Sequence, residues 1–405
     1  MKRPRSIPLL QPPLFPEVGV IALVADEWSE EWMSRHQILT RLAKYFHVIW
    51  VSPARAWRQV LDGGKPSSYQ TQDHPAGFHV YESEFWLPKF YRPRWLANLS
   101  FFARLRQARK RLVRQGCRKI VLYIWRPEFS ESIDAIPFDL SCYHIVDEYS
   151  FSDDDLPISE EERRLVERVD HVFVHTAALL EKKGQLNRHV TLVPNGVDYR
   201  AFSDGVPEPS RLATISHPRI GYAGYLKRTL DWNLLRQLAH RHPDYSFVFV
   251  GAQKNQVEVT RGVEELSRLP NVHFLGGMTT SELANYPQHF DVCIMPYKLN
   301  DYAKYGYPLK LHEYLAAGRP SVGARMRVLE EFEDTVYLCN SVDDWSDAIS
   351  KALGPEANTK EAREARQRVA KQHDWDLLAK RIAGVLSERL DTNNAKPLDD
   401  ALTLN

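Results

Sequence analysis

Cysteine is scarce: Cys117, Cys142, Cys293 and Cys339 are four in 405 residues, and they lie far apart. With no Cys-x-x-Cys and no zinc-like spacing to histidine, neither a disulfide framework nor a cysteine-based metal site is expected, and a reducing, cytoplasmic setting fits. An excess of charge is missing too. The 53 basic side chains against 52 acidic ones leave a net charge of +1, so no global field favours nucleic acid or a strongly acidic partner. No stretch reaches the ~20 apolar residues that would cross a bilayer. The basic, proline-containing residues 1–16 also lack the apolar core of a signal peptide, so any membrane contact is expected to be peripheral. Repeats of solenoid length do not occur.

What is present is a globular composition, 43% hydrophobic and 26% charged, over a length that suits two domains of roughly 100–200 residues each. Short β-branched or aromatic runs bounded by turn residues alternate with segments of helical period, which predicts parallel sheets covered by helices, an α/β fold. Strands are expected at 18–24, 47–51, 119–124, 141–146, 171–174 and 191–193, and again at 219–222, 246–250, 272–275, 292–295 and 320–322. A proline-rich, polar stretch at 203–218 reads as a linker. The expected organisation is an N-terminal domain over 1–205 and a second over 206–373. A closing helix at 374–390 follows, then a flexible tail at 391–405. In doubly wound sheets, ligands bind outside the strand C-termini, so chemistry is expected in strand-to-helix loops facing a cleft.

The most informative stretch is Tyr305–Gly323, YGYPLKLHEYLAAGRPSVG. Pro308 near a helix start and Gly318 after its end mark the boundaries. Lys310 and Glu313, three apart, share a face and turn either to one ligand or to each other as a surface ion pair. The segment resembles the nucleotide-sugar signature of retaining GT-B glycosyltransferases of the family-four type: Glu, seven residues, Glu, then Ala-x-Gly-x-Pro-Val. The resemblance implies a GT-B fold of two Rossmann-like, doubly wound domains. It also implies that Glu313 takes the ribose hydroxyls, which a carboxylate can accept in pairs. A diphosphate would sit at the helix N-terminus near Leu309. The first Glu of the pattern falls at Tyr305, so this chain departs from the rule where the family contacts the donor sugar. The variant Tyr-x-Pro-Leu-Lys-x-x-Glu-Tyr resembles a subset acting in cell-wall, teichuronic and exopolysaccharide assembly, and makes Lys310 a diphosphate partner.

Other stretches are similar to the same family. VPNGVDYRAF at 193–202 resembles its interdomain segment, and could equally be a turn. In RIGYAGYLKRTLDW at 219–232, Gly221 and Gly224 permit close approach to a phosphate. The family's Arg site there appears as Tyr225, leaving Lys227 and Arg228 as displaced cations. NVHFLGGMTTSELANY at 271–286 resembles the base-binding stretch, of which Leu275, Gly276 and Gly277 are claimed for the nucleotide. Thr280 or Ser281 is read as a helix cap with Glu282 in the first turn. Tyr297 closes the next strand as a donor contact or a core aromatic. His373–Trp375, HDW, resembles the family's entry into the closing helix and is read as structural.

On the acceptor side a base must take a hydroxyl proton. Asp147, after the strand CYHIV, is the first candidate and Asp26 the second; strand alternation sends Glu148 away from Asp147. Trp28, Arg35 and His36 occupy the other acceptor loop, and His144 and His175 are read as core. Residues 86–114 interleave aromatics with Lys and Arg and contain no acid, either a solvated basic helix or a surface able to rest on anionic lipid. With no Asp-x-Asp at a strand end, Asp153–Asp155 being placed in a loop, neither a metal nor a cofactor is expected. The activity implied is transfer of a sugar from a nucleotide diphosphate donor to a glycan or lipid-linked acceptor, at the inner face of the membrane if that surface is used. The alternatives are an epimerase on the same fold and a catalytically silent nucleotide-sugar binder.

Overall fold

The computed structural model describes residues 12–28, 32–53, 75–81, 94–151 and 155–390. Two compact units divide them, one of residues up to Pro194 together with those from Asp376 onward, the other Asn195–Trp375. The expected tail, residues 86–93 of the basic stretch, and Asp153 and Asp154 lie outside the described residues.

The described residues of the N-terminal unit form a parallel sheet of β1 (Val18–Leu23), β2 (His47–Val51), β3 (Phe78–Tyr81), β4 (Lys119–Ile124), β5 (Leu140–Ile145), β6 (His171–Val174) and β7 (Val190–Leu192). The strand order is β3-β2-β1-β4-β5-β6-β7. Every residue of β1 and β5 is buried, as continuous apolar runs require when helices cover both faces of a parallel sheet. Leu23 is level with both Val51 and Ile124, so the loops after β1, β2 and β4 leave the sheet together. The strand order reverses between β1 and β4, which is where such sheets bind ligands.

Beneath the loop after β5 lies an ionic network with no solvent contact at its centre. Lys183 Nζ is 2.7 Å from Glu162 and 3.3 Å from Glu148, and all three side chains are 0% exposed. Tyr143 donates to Glu162 (2.9 Å), and the Ser150 N–H donates to Glu148 (2.7 Å). Lys182 joins Glu148 (3.3 Å) to Asp155 (2.6 Å). The closing helix, Trp375–Arg389, is tied to this unit by Asp376, which pairs with Arg41 (2.9 Å) and Lys44 (2.8 Å).

The second unit repeats the plan with β8 (Arg219–Ala223), β9 (Ser246–Val250), β10 (Val272–Phe274), β11 (Val292–Met295), β12 (Ser321–Ala324) and β13 (Tyr337–Cys339), in the order β10-β9-β8-β11-β12-β13. Its reversal falls between β8 and β11. Both units are thus Rossmann-like, in agreement with the α/β expectation. Two strands, β3 and β13, have no counterpart in the sequence expectation. Each is a short edge strand that pairs on one side and buries only part of its length: FHVY is four residues interrupted by a histidine, and YLC is three residues long. The Lys360–Gln372 helix ends at His373 and the closing helix begins at Trp375, within a residue of the expected 374.

Replacing Lys183 by Met leaves the buried Glu162 without its cation and Glu148 with Lys182 alone. The N-terminal unit is expected to lose about 3–5 kcal/mol, measured as the shift of its transition in urea denaturation followed by near-UV circular dichroism.

Candidate functional site

The signature helix runs Lys310–Ala316 with Leu309 as N-cap, beginning just past the expected Pro308. Its end is a Schellman cap. Gly318 has φ +70, its N–H bonds to the Leu315 carbonyl, and the Arg319 N–H bonds to that of Tyr314, a geometry that favours glycine. Tyr314, Leu315 and Ala316 face the core, which leaves Lys310 and Glu313, each half-buried, on the opposite side. Burial pushes the Glu313 carboxyl above its ordinary range, and the Lys310 charge offsets this in part. The two charges therefore feel one another. Even so, neither makes an ion pair or a side-chain hydrogen bond among the described residues. A surface helix ion pair is not the geometry found. Two desolvated, unneutralised groups are costly in a free protein, and such groups concentrate at ligand sites.

Lys310 extends across the end of β8. Its Nζ lies 5.1 Å from the Tyr222 ring centroid and packs so closely on Gly224 that a Cβ built there would overlap it. Gly224 also has φ +139, so two independent constraints demand glycine. Tyr297 lies by this wall and acts electrostatically on Tyr222, whose hydroxyl donates to the Tyr225 carbonyl (3.0 Å).

Gly251 follows β9 at φ +142 and Gly276 follows β10 at φ +77. The Gly224 N–H bonds to Val250 O (2.7 Å) and the Gly251 N–H to Gly276 O (2.8 Å), which joins three successive strand ends into one glycine-lined edge. A Cβ on Gly276 would stand in open space, leaving room for a flat group, while Leu275 packs partly on the core and its carbonyl is held by Arg211 (2.8 Å). Gly221, by contrast, is glycine because the Phe290 ring lies against it, so it packs the core rather than approaching a phosphate.

Sequence reasoning missed Gly251 and Lys254. Lys254 Nζ lies 3.8 Å from the Tyr225 ring centroid and Lys227 Nζ 5.9 Å, so the ring standing where the resemblance implies Arg gathers two ammonium groups. The signal was available: GYLK at 224–227 and GAQK at 251–254 repeat the same strand-Gly-x-x-Lys pattern, and Leu226 and Gln253 pair directly. Arg228 is exposed, its N–H bonded to Gln256 (3.0 Å). Tyr305 is buried at 3% exposure, so it offers nothing resembling a solvent-facing carboxylate. The cap at 280–283 is Thr279, not Thr280 or Ser281, in a capping box with Glu282.

The other family-like stretches brace this helix. Asn195 donates to the Tyr307 carbonyl (2.9 Å), fixing the turn ahead of Pro308. The Val197 N–H bonds to His373 O, and the Trp375 N–H to Val197 O. The His373 ring stacks on His312 at 3.9 Å, and His312 meets the Tyr307 hydroxyl (2.8 Å). Burial holds both histidines below their ordinary range, so the stack is uncharged at neutral pH.

The N-terminal unit corrects several expectations. Trp28 is a core residue against Trp50 (5.1 Å) and Phe78 (5.0 Å). His36 is 1% exposed, accepts the Met33 N–H at Nδ1 (3.2 Å), and is pushed down to about 3 by burial. Neither is placed to meet an acceptor. Asp26 and Arg35 form an ion pair with each other. Beside them, the Arg126 guanidinium lies 4.5 Å over the Tyr149 ring and is held by Glu128 (3.1 Å); Arg35 and Asp147 both act electrostatically on Tyr149. Asp147 is half-buried and accepts the Glu148 N–H (2.8 Å), while Glu148 turns into the ionic network as alternation required. His144 and His175 are buried and lowered to about 3 and about 4, core residues as expected.

Residues 217–354 match the family described as Glycosyl transferases group 1. Over 236 residues the chain is 32% identical to the Bacillus subtilis (strain 168) protein named as the teichuronic acid biosynthesis glycosyltransferase TuaH. That match covers 56% of this chain and 58% of the relative, so a little over half of the curated relative's length is spanned. Among solved structures, sucrose-phosphate synthase from Thermosynechococcus elongatus superposes with a TM-score of 0.68 at 16% identity, over 92% of this chain and 98% of that one. A glycosyltransferase from Rickettsia africae ESF-5 gives 0.68 at 12% identity, over 93% and 99%. The fold is that of the GT-B glycosyltransferases.

Lys310→Met is expected to weaken nucleoside diphosphate binding roughly 10- to 100-fold, the range of a charge-assisted hydrogen bond. Gly224→Ala, whose Cβ displaces the ammonium, is expected to act in the same direction; isothermal titration calorimetry with UDP and GDP measures both. Because only the ionised Glu313 accepts two hydroxyls, affinity should rise with pH through its raised pKa and fall on acidification sooner than an ordinary carboxylate dictates. Glu313→Gln should flatten that part of the profile. The same shift makes Glu313 ionisation unfavourable to folding, so Glu313→Gln is expected to raise the thermal midpoint at neutral pH and lose that advantage in acid.

Proposed function

We propose that this chain, whose residues 217–354 belong to the glycosyl transferases group 1, transfers a sugar from a nucleoside diphosphate carrier to a glycan or lipid-linked acceptor in cell-surface polysaccharide assembly. The observation that carries the reading is the pair Lys310 and Glu313, half-buried and joined in no ion pair among the described residues, with the Lys310 ammonium packed on Gly224. Glu313 accepts from the two ribose hydroxyls, and Lys310 meets the diphosphate where Gly224 lets both approach. Lys227 and Lys254, gathered on Tyr225, add positive charge on the same side. As the glycosidic bond to the diphosphate breaks, negative charge grows on the leaving phosphate, and cations already in place stabilise it without reorganisation. The open space over Gly276, beside Leu275, suits the base.

Asp147 is the proposed base that takes the acceptor proton. It follows β5 at the crevice of the first sheet, is half-buried, and acts electrostatically on Tyr149 beside Arg35 and Arg126. The polysaccharide role rests on the likeness to the teichuronic acid enzyme of Bacillus subtilis together with the Tyr-x-Pro-Leu-Lys variant of the signature.

UDP-, GDP- and dTDP-sugars are to be screened with the full chain for thermal stabilisation, and the stabilising donor assayed for turnover. One donor class should raise the midpoint. Glu313→Ala should abolish that rise, whereas Asp147→Asn should keep it and lose turnover by about 100-fold or more. If no nucleotide sugar stabilises the chain, or Glu313→Ala turns over like the parent, the reading fails.

A further inference from the structure

On the N-terminal unit, the Arg94–Arg114 helix forms one wall of a groove of about 400 Å³ lined by Arg106, Arg109, Lys110, Val113, Arg114 and the Ile136–Pro137 segment. Arg106, Lys110 and Arg114 succeed one another at four-residue spacing and so share a helix face, an arrangement in which like charges repel. All three are exposed, and none makes an ion pair or hydrogen bond among the described residues. The acids flanking the opposite wall are already taken: Asp134 pairs with Arg168 (2.6 Å), and Asp139 with Lys119 (3.6 Å) and the Ile120 N–H. Arg109 donates to the Pro137 carbonyl (3.0 Å) and holds the two walls together. Leu99 and Val113, 53% and 46% exposed, stand seven residues either side of Arg106, so apolar and cationic side chains alternate along one face.

We infer that this face docks on an anionic phospholipid surface, with a headgroup phosphate seated in the groove between Arg106, Lys110 and Arg114 and with Leu99 and Val113 reaching the acyl boundary. The cations supply attraction to a charged leaflet. The exposed apolar residues distinguish a lipid surface from a soluble phosphate, which has no use for them. Since the chain as a whole carries only +1, no global charge supplies the attraction, and a local cluster of cations would orient the molecule as well as bind it. The inference does not depend on the sugar or nucleotide used.

The full chain is to be co-sedimented with phosphatidylcholine vesicles with and without about 30% phosphatidylglycerol. Binding should require the anionic lipid and weaken with salt. Arg106→Gln, Lys110→Gln and Arg114→Gln should each lower the vesicle partition constant about fivefold, and Val113→Ser should lower it further at unchanged charge. A control lacking Arg188, Arg268 and Lys371, exposed cations outside this face, loses the same net charge as a variant carrying all three Gln substitutions together and should bind like the parent. Thermal melts of each variant check folding. Equal binding to neutral vesicles, an equal fall in the control, or full competition by millimolar glycerol phosphate would overturn the assignment, the last by marking a soluble-anion site.

Discussion

Two opposite charges one helical turn apart, close enough to interact yet not joined, are the constraint on which the second unit is organised. Had Lys310 and Glu313 met as an ion pair, each would have satisfied the other and the surface would be inert. Instead Lys310 is drawn over the Tyr222 ring and onto Gly224, while burial holds Glu313 in a state that costs free energy. The proposed donor, with phosphate at one end and vicinal hydroxyls at the other, would satisfy both at once. That requirement explains the neighbourhood: a glycine where the ammonium must fit, further glycines at the adjoining strand ends, and a buried, uncharged histidine stack behind the helix.

The first unit handles its charges differently. Asp26 is spent on Arg35, Glu128 on Arg126, and Glu148 and Glu162 on Lys183. A buried network of this kind adds little net stability, but removing one member is expensive, so it holds the chain after β5 in one arrangement. Asp147 stands at the edge of that rigid base and turns toward solvent as its neighbour Glu148 turns inward. The alternation that separates these two adjacent carboxylates is a property of the extended backbone; what each then meets is set by the packing around β5.

Much of the fold was legible. Buried parallel strands read as apolar runs, and the runs at 18–24, 119–124, 246–250 and 292–295 are strands within a residue of the expected ends. The edge strands Phe78–Tyr81 and Tyr337–Cys339 were not, because runs of four and three residues are too short to show a period. At the site, Glu313, Lys310 and Gly224 were legible from a local motif. Trp28 and His36 were misplaced since nothing local distinguishes an aromatic that faces a crevice from one that fills the core. Lys254 was overlooked because its meaning depends on Tyr225, which lies 29 positions earlier and meets it only when β8 and β9 pair.

The amino-acid order by itself determined the α/β class, the two successive sheets, the boundaries of the signature helix and the pairing of an acid and a base on one of its faces. These follow from periodicity, turn residues and spacing, which act over a few residues. Only the tertiary structure decided which charges stay open. Whether a carboxylate is neutralised depends on side chains brought from distant elements: Arg35 reaches Asp26 and Lys183 reaches Glu148, while among the described residues no cation closes on Glu313. Coulomb interactions act through space, and the distances they need are created by folding.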